Sequence, residues 1–320
     1  MNEDKAYRLI QYLANGEFCS GERLAQLLAV SRTTVATYVK QFGPLGLDIF
    51  SVKGKGYRLV QPLSLLDIDR LQAELSAHSP KLLHQVDSTN AWLNRHQAEL
   101  SHGQLVMTEY QSAGRGRRGR AWQTPYAGQL CMSLLWCLQD GIEAAMGLSL
   151  AVGLAIVEAL EAEGYRDLGL KWPNDIYLGS AKLGGVLIEM QGQANSTVNL
   201  VIGLGVNVRV TESKGQLIDQ AFAQLEVAGE PTVDRTALTI AIVHSLNQMF
   251  DIFKDQGFVA LQQRWNRYDI FRDKNVTLHF SEHKQVSGIA KGVDRQGQLL
   301  VEQESGLQAY MAGEVSLRGQ

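Results

Sequence analysis

The segment Gly114-Arg115-Gly116-Arg117-Arg118-Gly119-Arg120 places four arginines in six positions, interleaved with glycine. Glycine lets backbone N–H groups come close to a ligand, and guanidinium forks pair with phosphate or carboxylate. Such a loop suits a polyanionic small molecule. An RNA-binding Arg-Gly tract and a merely solvated basic loop are the alternatives. The run neither extends nor repeats, and it lies between two strand-like runs, which counts against the RNA tract. No G-x-x-x-x-G-K-[ST] occurs, so this is not a P-loop.

Two further clusters carry polar chemistry. Lys171-Trp172-Pro173-Asn174-Asp175 is followed by Lys182-Leu183-Gly184-Gly185. Pro-Asn-Asp between extended runs is in the first place a turn. Lys182, at the entrance of an apolar strand, can project its ammonium into a pocket where it is only partly solvated. Asp87-Ser88-Thr89-Asn90 lies between a strand and a helical start at Ala91–Arg95, so it reads as a helix-capping box. Its hydroxyl and amide groups can equally read a polar heterocycle. The histidines (His78, His84, His96, His102, His244, His279 and His283) have no metal-ligand spacing and are expected to be structural or on the surface.

The elements that must position these groups fall into three parts. Ala6, Leu9, Ile10 and Leu13 at i, i+3, i+4, i+7 predict an amphipathic helix closed by Asn15-Gly16. Ser20 is expected to cap a second helix with Leu24, Leu27 and Leu28 inward. After Ala29-Val30, Ser31 is expected to cap a third that buries Val35, Val39 and Phe42 and ends at Gly43-Pro44. Ile49–Val52 and Tyr57–Val60, joined by Lys53-Gly54-Lys55-Gly56, complete a winged helix-turn-helix pattern over residues 1–62. Ser31, Arg32, Thr33, Thr37 and Lys40 would face a major groove, and Lys53 and Lys55 the DNA backbone. A small helical dimerisation or docking domain is the alternative. Past the connector Gln61–Leu75, residues 63–270 alternate strands with helices. Strands are expected at Leu82–Val86, Leu105–Glu109, Leu130–Trp136, Leu168–Trp172, Leu183–Met190 and Val198–Val206. Helices are expected at Ala144–Glu163, Thr236–Phe253 and Phe258–Arg264. Residues 271–320 read as a small SH3-like barrel with strands Val276–Phe280, Ser287–Val293, Leu299–Glu302 and Gln308–Met311. The fold class is mixed α+β, with a helix-backed mixed sheet in the middle.

Composition supports this division. At 320 residues with 45% hydrophobic and 20% charged, the chain can bury real cores and is not disordered. A net charge of −3 argues against a globally basic nucleic-acid coat. Residues 1–60, however, hold 8 Lys+Arg against 5 Asp+Glu, leaving 22 against 28 for the remainder. A basic head on an acidic body fits a local nucleic-acid site. The start Met-Asn-Glu-Asp carries no secretory pattern. The longest uncharged apolar stretch, Ala144–Val157, is shorter than the ~20 residues a bilayer needs. Cys19, Cys131 and Cys137 are expected to be reduced thiols of a cytoplasmic protein.

Asp87–Asn90, the Gly114–Arg120 loop, Lys171–Asp175 and Lys182–Gly185 occur in the order and with the spacing of biotin–protein ligases. The winged head and small tail resemble the bifunctional members that also repress the biotin operon. The resemblance spans essentially the whole chain, and the Arg-Gly loop together with Lys-Trp-Pro-Asn-Asp is its most specific part. It implies an ATP-dependent biotin–[biotin carboxyl carrier protein] ligase. Biotin and ATP give biotinyl-5′-AMP, with Mg²⁺ accompanying the nucleotide, and the biotinyl group passes to a carrier lysine. That chemistry brings a carboxylate and a phosphate together, so the site must supply positive charge.

By this resemblance Arg115 and Arg117 belong to the loop that folds over the ligand, and Lys182 is held against the carboxylate. Asp175 is expected to help the acceptor amine, as a positioning group or general base. Ser88, Thr89, Asn90 and Gln111, with Gly116, would read the ureido ring and line the biotin pocket, and Trp122 would pack on the ligand's apolar chain. Arg117, Arg118, Asn174 and Asn207 are expected at the nucleotide. The family has an adenine-covering loop, often with a tryptophan, between Val210 and Val233; here the candidate aromatic is Phe222. Implied partners are the carrier protein, operator DNA and a second subunit, the homodimer being favoured by biotinyl-5′-AMP, with no membrane and no resident metal. A non-enzymatic ligand-sensing winged-helix repressor and a lipoate-type ligase on the same fold are the alternatives.

Overall fold

The computed structural model describes residues 3–138, 145–191, 198–210, 215, 221–227, 230, 232–280, 285–312 and 316–319. In the head, α1 (Glu3–Leu13) precedes α2 (Gly21–Leu28) and α3 (Arg32–Phe42), followed by the hairpin β1 (Ile49–Val52) and β2 (Gly56–Leu59). Ser20 and Ser31 cap as their positions predict, accepting from the backbone N–H groups of Arg23 and Thr34. Leu27 departs from expectation. It is 38% exposed, because the buried face of α2 is centred on Leu24, Ala25 and Leu28 and leaves Leu27 at its margin. On α3, Tyr38 is buried with Val35 and Phe42, while Val39 is only half-buried.

The head core is closed by residues from the middle of the chain. Tyr126 and Ala127 are buried in it, and Tyr110, Leu63 and Leu65 pack against it. Tyr7 of α1 stacks on His84 with ring centroids 3.4 Å apart. The connector is bolted down by a buried ion pair between Arg235 and Glu109. Arg235 also donates to the carbonyl oxygens of Ser64 and Gln129, and Glu109 accepts from the N–H of Leu66. The connector ends in α4 (Ile68–Glu74).

The middle of the chain is a seven-stranded mixed sheet in the order β3-β4-β5-β9-β8-β7-β6. Its strands are β3 (Lys81–Leu83), β4 (Leu105–Thr108), β5 (Gln129–Leu138), β6 (Leu168–Lys171), β7 (Asp175–Leu178), β8 (Ala181–Gln191) and β9 (Val198–Asn207). Only β3 and β4 run parallel. The Pro-Asn-Asp turn is present but is the bend of a hairpin, and β7, which begins at Asp175, was not anticipated. β3 is shorter than the expected Leu82–Val86. The period of two in β5 and β9 divides the sheet into two faces. Leu130, Met132, Leu134, Leu200, Ile202 and Leu204 join the main core, against which α6 (Leu148–Ala162) and α7 (Arg235–Gln256) pack. The alternate residues face α5 (Thr89–His96), where Leu93 meets Val106, Leu135 and Val201. Ala144, at the expected start of α6, lies outside the described residues.

After α8 (Gln262–Tyr268) the tail is a five-stranded antiparallel sheet. Its strands β10 (Asn275–His279), β11 (Gln285–Val293), β12 (Leu299–Gln303), β13 (Gly306–Tyr310) and β14 (Ser316–Gly319) lie in the order β13-β12-β11-β10-β14. The fifth strand, β14, goes beyond the four expected. Val276, Leu278, Ala290, Val293, Leu299 and Val301 extend the main core into the tail, so head, middle and tail share packed boundaries. Among the described residues no helix is long and apolar enough to cross a membrane.

Candidate active site

On the α5 face, the sheet becomes hollow where β5 and β9 carry small residues. A methyl group at Gly203 would lie 2.1 Å from Asn90 Oδ1, and one at Gly205 would lie 2.8 Å from the Trp122 ring. The two glycines therefore make room for the two side chains that floor and wall the cavity. Ser133 Oγ lies 2.7 Å from Thr89 Oγ1 and 2.6 Å from Asn90 Oδ1. Gln111 Oε1 accepts from both the backbone N–H and the hydroxyl of Thr89. Ser88 caps α5 through its hydroxyl. Next to it Arg95 forks onto Asp87 and holds that carboxyl down at about 2.

The Arg-Gly loop forms a short flap over this hollow. Trp122 N–H donates to the Gly114 carbonyl, Gly116 N–H donates to the Arg120 carbonyl, and Arg115 and Ala121 are bridged as antiparallel partners. The flap closes because Gly114 has no Cβ; one there would stand 2.6 Å from the Trp122 carbonyl oxygen. At its tip Arg118 and Gly119 adopt left-handed φ of 59° and 70°. Trp122 Nε1–H donates to Gln129 Oε1 over 3.0 Å, and Gln129 Nε2–H donates to Asn207 Oδ1 over 2.7 Å.

The cations converge beneath the flap. Lys182 Nζ is 2.7 Å from Asp175 Oδ1, both side chains being mostly buried, and lies 5.8 Å from the Trp122 ring centroid. Arg117 donates to Asn174 Oδ1 and to the carbonyl of Ala312 in the tail. Burial pulls its guanidinium below its ordinary value, opposed by the charge of Asp175. Asn174 is itself fixed by donating Nδ2–H to the Val186 carbonyl. A pocket with an ammonium, a guanidinium and a carboxylate gathered in its lining can bind and polarise an acidic ligand.

Ser88, Thr89, Asn90, Gln111, Arg115, Gly116, Arg117, Arg118, Trp122, Asn174, Asp175 and Lys182 all line this one cavity. Asn207 and Phe222 are not among its lining residues. Asn207 is buried and acts as a strut, its Oδ1 bound by Gln129 and its Nδ2–H donated to the Ala223 carbonyl. Phe222 is bridged by its backbone to Lys182, so its segment lies beside β8. Most of the remainder of Thr211–Gly229 lies outside the described residues. Residues that sequence reasoning passed over include Ser133, Gln129 and Glu189. Glu189 accepts from Asn90 Nδ2–H over 2.8 Å and pairs with Arg115. The available signal was alternation: Gly185, Leu187 and Glu189 share a face of β8, and a carboxylate among apolar neighbours is out of place there.

In the head, Ser31, Arg32, Thr33, Thr37, Lys40, Lys53 and Lys55 are all exposed. Ser31 is committed to capping α3, and Thr37 Oγ1 donates back to the Thr33 carbonyl. Arg58 on β2 lies 4.9 Å from the Phe18 ring centroid and 5.8 Å from that of Phe50, a cation–aromatic stack that stiffens the wing. Among the described residues no group of three or more His, Cys, Asp or Glu gathers to hold a metal ion. Cys19, Cys131 and Cys137 are free, and burial pushes the Cys131 thiol up to about 11.

Comparison with known proteins places this arrangement among relatives. The biotin/lipoate A/B protein ligase family profile matches residues 82–207, a biotin protein ligase C-terminal domain matches 273–318, and a helix-turn-helix domain matches 5–58. The bifunctional ligase/repressor BirA of Salmonella typhimurium is 39% identical over 310 residues, covering 97% of this chain and 96% of that protein. BirA of Escherichia coli is 38% identical over 311 residues, with the same coverage. Among solved structures, a biotin protein ligase from Aquifex aeolicus in complex with biotin and ATP superimposes with a TM-score of 0.65 at 28% identity. It covers 75% of this chain and 99% of that one.

Proposed function

The chain belongs to the biotin–protein ligase family, in its bifunctional ligase/repressor form, and from that premise we propose how its own residues divide the work. The cavity under the flap joins biotin to ATP, and the head carries the chain to operator DNA. The observation that carries this reading is the meeting of Lys182, Asp175 and Arg117 under Trp122.

In the first step a biotin carboxylate oxygen attacks the α-phosphorus of ATP. The new O–P bond forms as the bond to the β-phosphate oxygen breaks, and pyrophosphate leaves. Lys182 and Arg117 offset the charge where the two anions meet, in a pocket that weakens competing solvation. Ser88, Thr89, Asn90 and Gln111 orient the ureido ring, while Trp122 and Gly116 enclose the aliphatic chain. Arg118 and Asn174 face the nucleotide, and Phe222 is the aromatic nearest by sequence to cover its base. Asp175 is the lining carboxylate that would hold a Mg²⁺ accompanying the nucleotide, an ion that would help offset the phosphate charge.

In the second step the acceptor lysine amine attacks the acyl carbon, the C–O bond to the phosphate breaks, and AMP leaves with that oxygen. The amine must shed a proton, which the departing AMP phosphate or solvent water takes up. Asp175, 2.7 Å from Lys182, fits a positioning role better than a free base, since its Oδ1 already serves the ammonium. Acceptor and partner are a biotin carboxyl carrier protein and a second copy of this chain, expected to compete for one surface. Ligand-promoted dimerisation would present two winged heads to two operator half-sites, and whatever adenylate adds to dimerisation, dimerisation must add to adenylate binding.

The test is biotin-dependent exchange of labelled pyrophosphate into ATP. Exchange supported by biotin and not by lipoate is the expected result. A protein that exchanges with neither is a ligand sensor only, and one that exchanges with lipoate alone has a different substrate.

A further inference from the structure

We propose that Gln129 is a positioning residue of this site. Its side-chain amide ties the cavity wall at Trp122 to Asn207, and through Asn207 to the chain segment that flanks Lys182, so that wall and lysine are held as one unit. The proposal rests on the ligase reading above and gives a role to a residue that does not itself line the cavity.

Gln129 begins β5 and stands directly across from Asn207 at the end of β9. They are 2% and 3% exposed, so solvent reaches neither amide. The backbone of Gln129 is anchored from behind. Its carbonyl accepts from Nε–H and Nη2–H of Arg235, the cation paired with Glu109. On the side chain, Oε1 accepts from Trp122 Nε1–H over 3.0 Å and from the Cys131 thiol over 3.4 Å. Nε2–H donates to the Gln123 carbonyl over 2.8 Å and to Asn207 Oδ1 over 2.7 Å. Burial keeps the Cys131 thiol protonated, and its sulfur is the weaker alternative acceptor beside the indole.

The polarity of this chain of bonds is forced. An indole N–H only donates, so the oxygen of Gln129 must face Trp122 and its nitrogen must face Asn207. Asn207 then presents Oδ1 to Gln129, which sends its Nδ2–H to the Ala223 carbonyl over 2.9 Å. The Asn207 carbonyl accepts from Leu225 N–H over 3.1 Å. Residues 221–225 are thereby stitched to the end of β9. They also meet Lys182, whose N–H donates to the Ala221 carbonyl and whose carbonyl accepts from Ala223 N–H. At the other end of the chain of bonds, Trp122 lines the cavity with its ring centroid 5.8 Å from Lys182 Nζ. The two arms of one amide therefore reach the same lysine, one at its backbone and one at its ammonium.

The experiment compares the parent chain with Gln129→Glu, Gln129→Met, Trp122→Phe and the double variant of the last two. Biotin-dependent pyrophosphate exchange gives kcat and the biotin KM. Amide hydrogen exchange at Leu225 and thermal unfolding are followed without ligand. Gln129→Glu keeps an acceptor for the indole, but its carboxylate has no donor for Asn207. Its kcat should fall about tenfold or more and Leu225 should exchange about tenfold faster, on the scale of a buried group left unpaired, with the biotin KM within about threefold of the parent. Gln129→Met has no donor and only a weak acceptor; it should show the same losses and raise the biotin KM about threefold or more. It carries the test if the glutamate variant unfolds. The cost of Trp122→Phe in biotin KM should shrink at least about threefold in the Gln129→Met background, because the bond it removes is already gone. Strictly additive KM effects overturn the tie to Trp122. A Gln129 variant that keeps the parental kcat overturns the proposal even where it melts lower, since the amide then only fills space. If the parent chain supports no pyrophosphate exchange, the ligase reading itself falls, and Leu225 still decides the tie to Asn207.

Discussion

Replacing Glu109 with Gln should unlock the connector that joins head to middle. Glu109 and Arg235 are 0% and 1% exposed, and Arg235 has no water to turn to when its counter-ion loses its charge. Breaking a buried pair from one side costs about 3–5 kcal/mol. Gln keeps an oxygen in place, and Arg235 still donates to the Ser64 and Gln129 carbonyls, so the lower end, about 3 kcal/mol, is the figure to expect. At about 2–4 °C per kcal/mol for a chain of this size class, the melting point should drop by about 6–12 °C. Adding Arg235→Met removes the stranded cation, so the double variant should recover at least about 1 kcal/mol, because apolar replacement of a buried pair is often neutral. Urea unfolding of the parent and three variants gives the cycle directly, and amide exchange at Leu66, whose N–H is bound by Glu109, reports the connector itself. A melting point within about 2 °C of the parent, or strictly additive losses in the double variant, would refute the reasoning.

Two other perturbations test separate parts of the fold. Burial raises the Asp269 carboxyl from 3.8 to about 6, and its Oδ2 has no hydrogen-bond partner among the described residues. A carboxyl whose folded value is raised contributes stability below its unfolded value and loses it as pH rises through the folded one. The parent should therefore lose about 3 kcal/mol from this group between pH 4 and 6 and stay at the lower level above, while Asp269→Asn should lack that component in a urea series across pH. Gly203→Ala, by driving a methyl into Asn90, should raise the KM for biotin about tenfold or more in pyrophosphate exchange and leave the KM for ATP nearly unchanged. Equal effects on both would mean that Asn90 is not the floor of the biotin end.

The residues that sequence could place are those whose role is local. Ser20 and Ser31 cap their helices because capping needs only the next three residues, and Leu9, Ile10 and Leu13 are buried because a helix repeats every 3.6. Of the twelve candidate residues that meet in one cavity, ten sit on four segments whose own chemistry marked them, and Gln111 and Trp122 came from the family resemblance alone. What escaped was set by distant partners. Asn207 looks like a ligand-binding amide until Gln129 and the Ala223 carbonyl are seen to use both its ends. Glu189 reads as one more strand residue until α5 and the flap close on it. β7 was hidden because the same Pro-Asn-Asp bend serves a loop or a hairpin, and only pairing across to Leu168–Lys171 distinguishes them. The boundary at residue 62 is legible as a change of pattern, but the burial of Tyr126 and Ala127 in the head core is not.

Arg117 reaches the Ala312 carbonyl, and Trp172 Nε1–H donates to the carbonyl of Gly297. The tail thus holds two residues that line the proposed reactant cavity. A premature stop codon late in the reading frame would not yield a smaller enzyme lacking an ornament; it would remove one of those two holds. Engineers grafting a new DNA-reading module would have to rebuild the face of the head that packs on Tyr126, Ala127 and His84, and should leave the far end of the polypeptide intact.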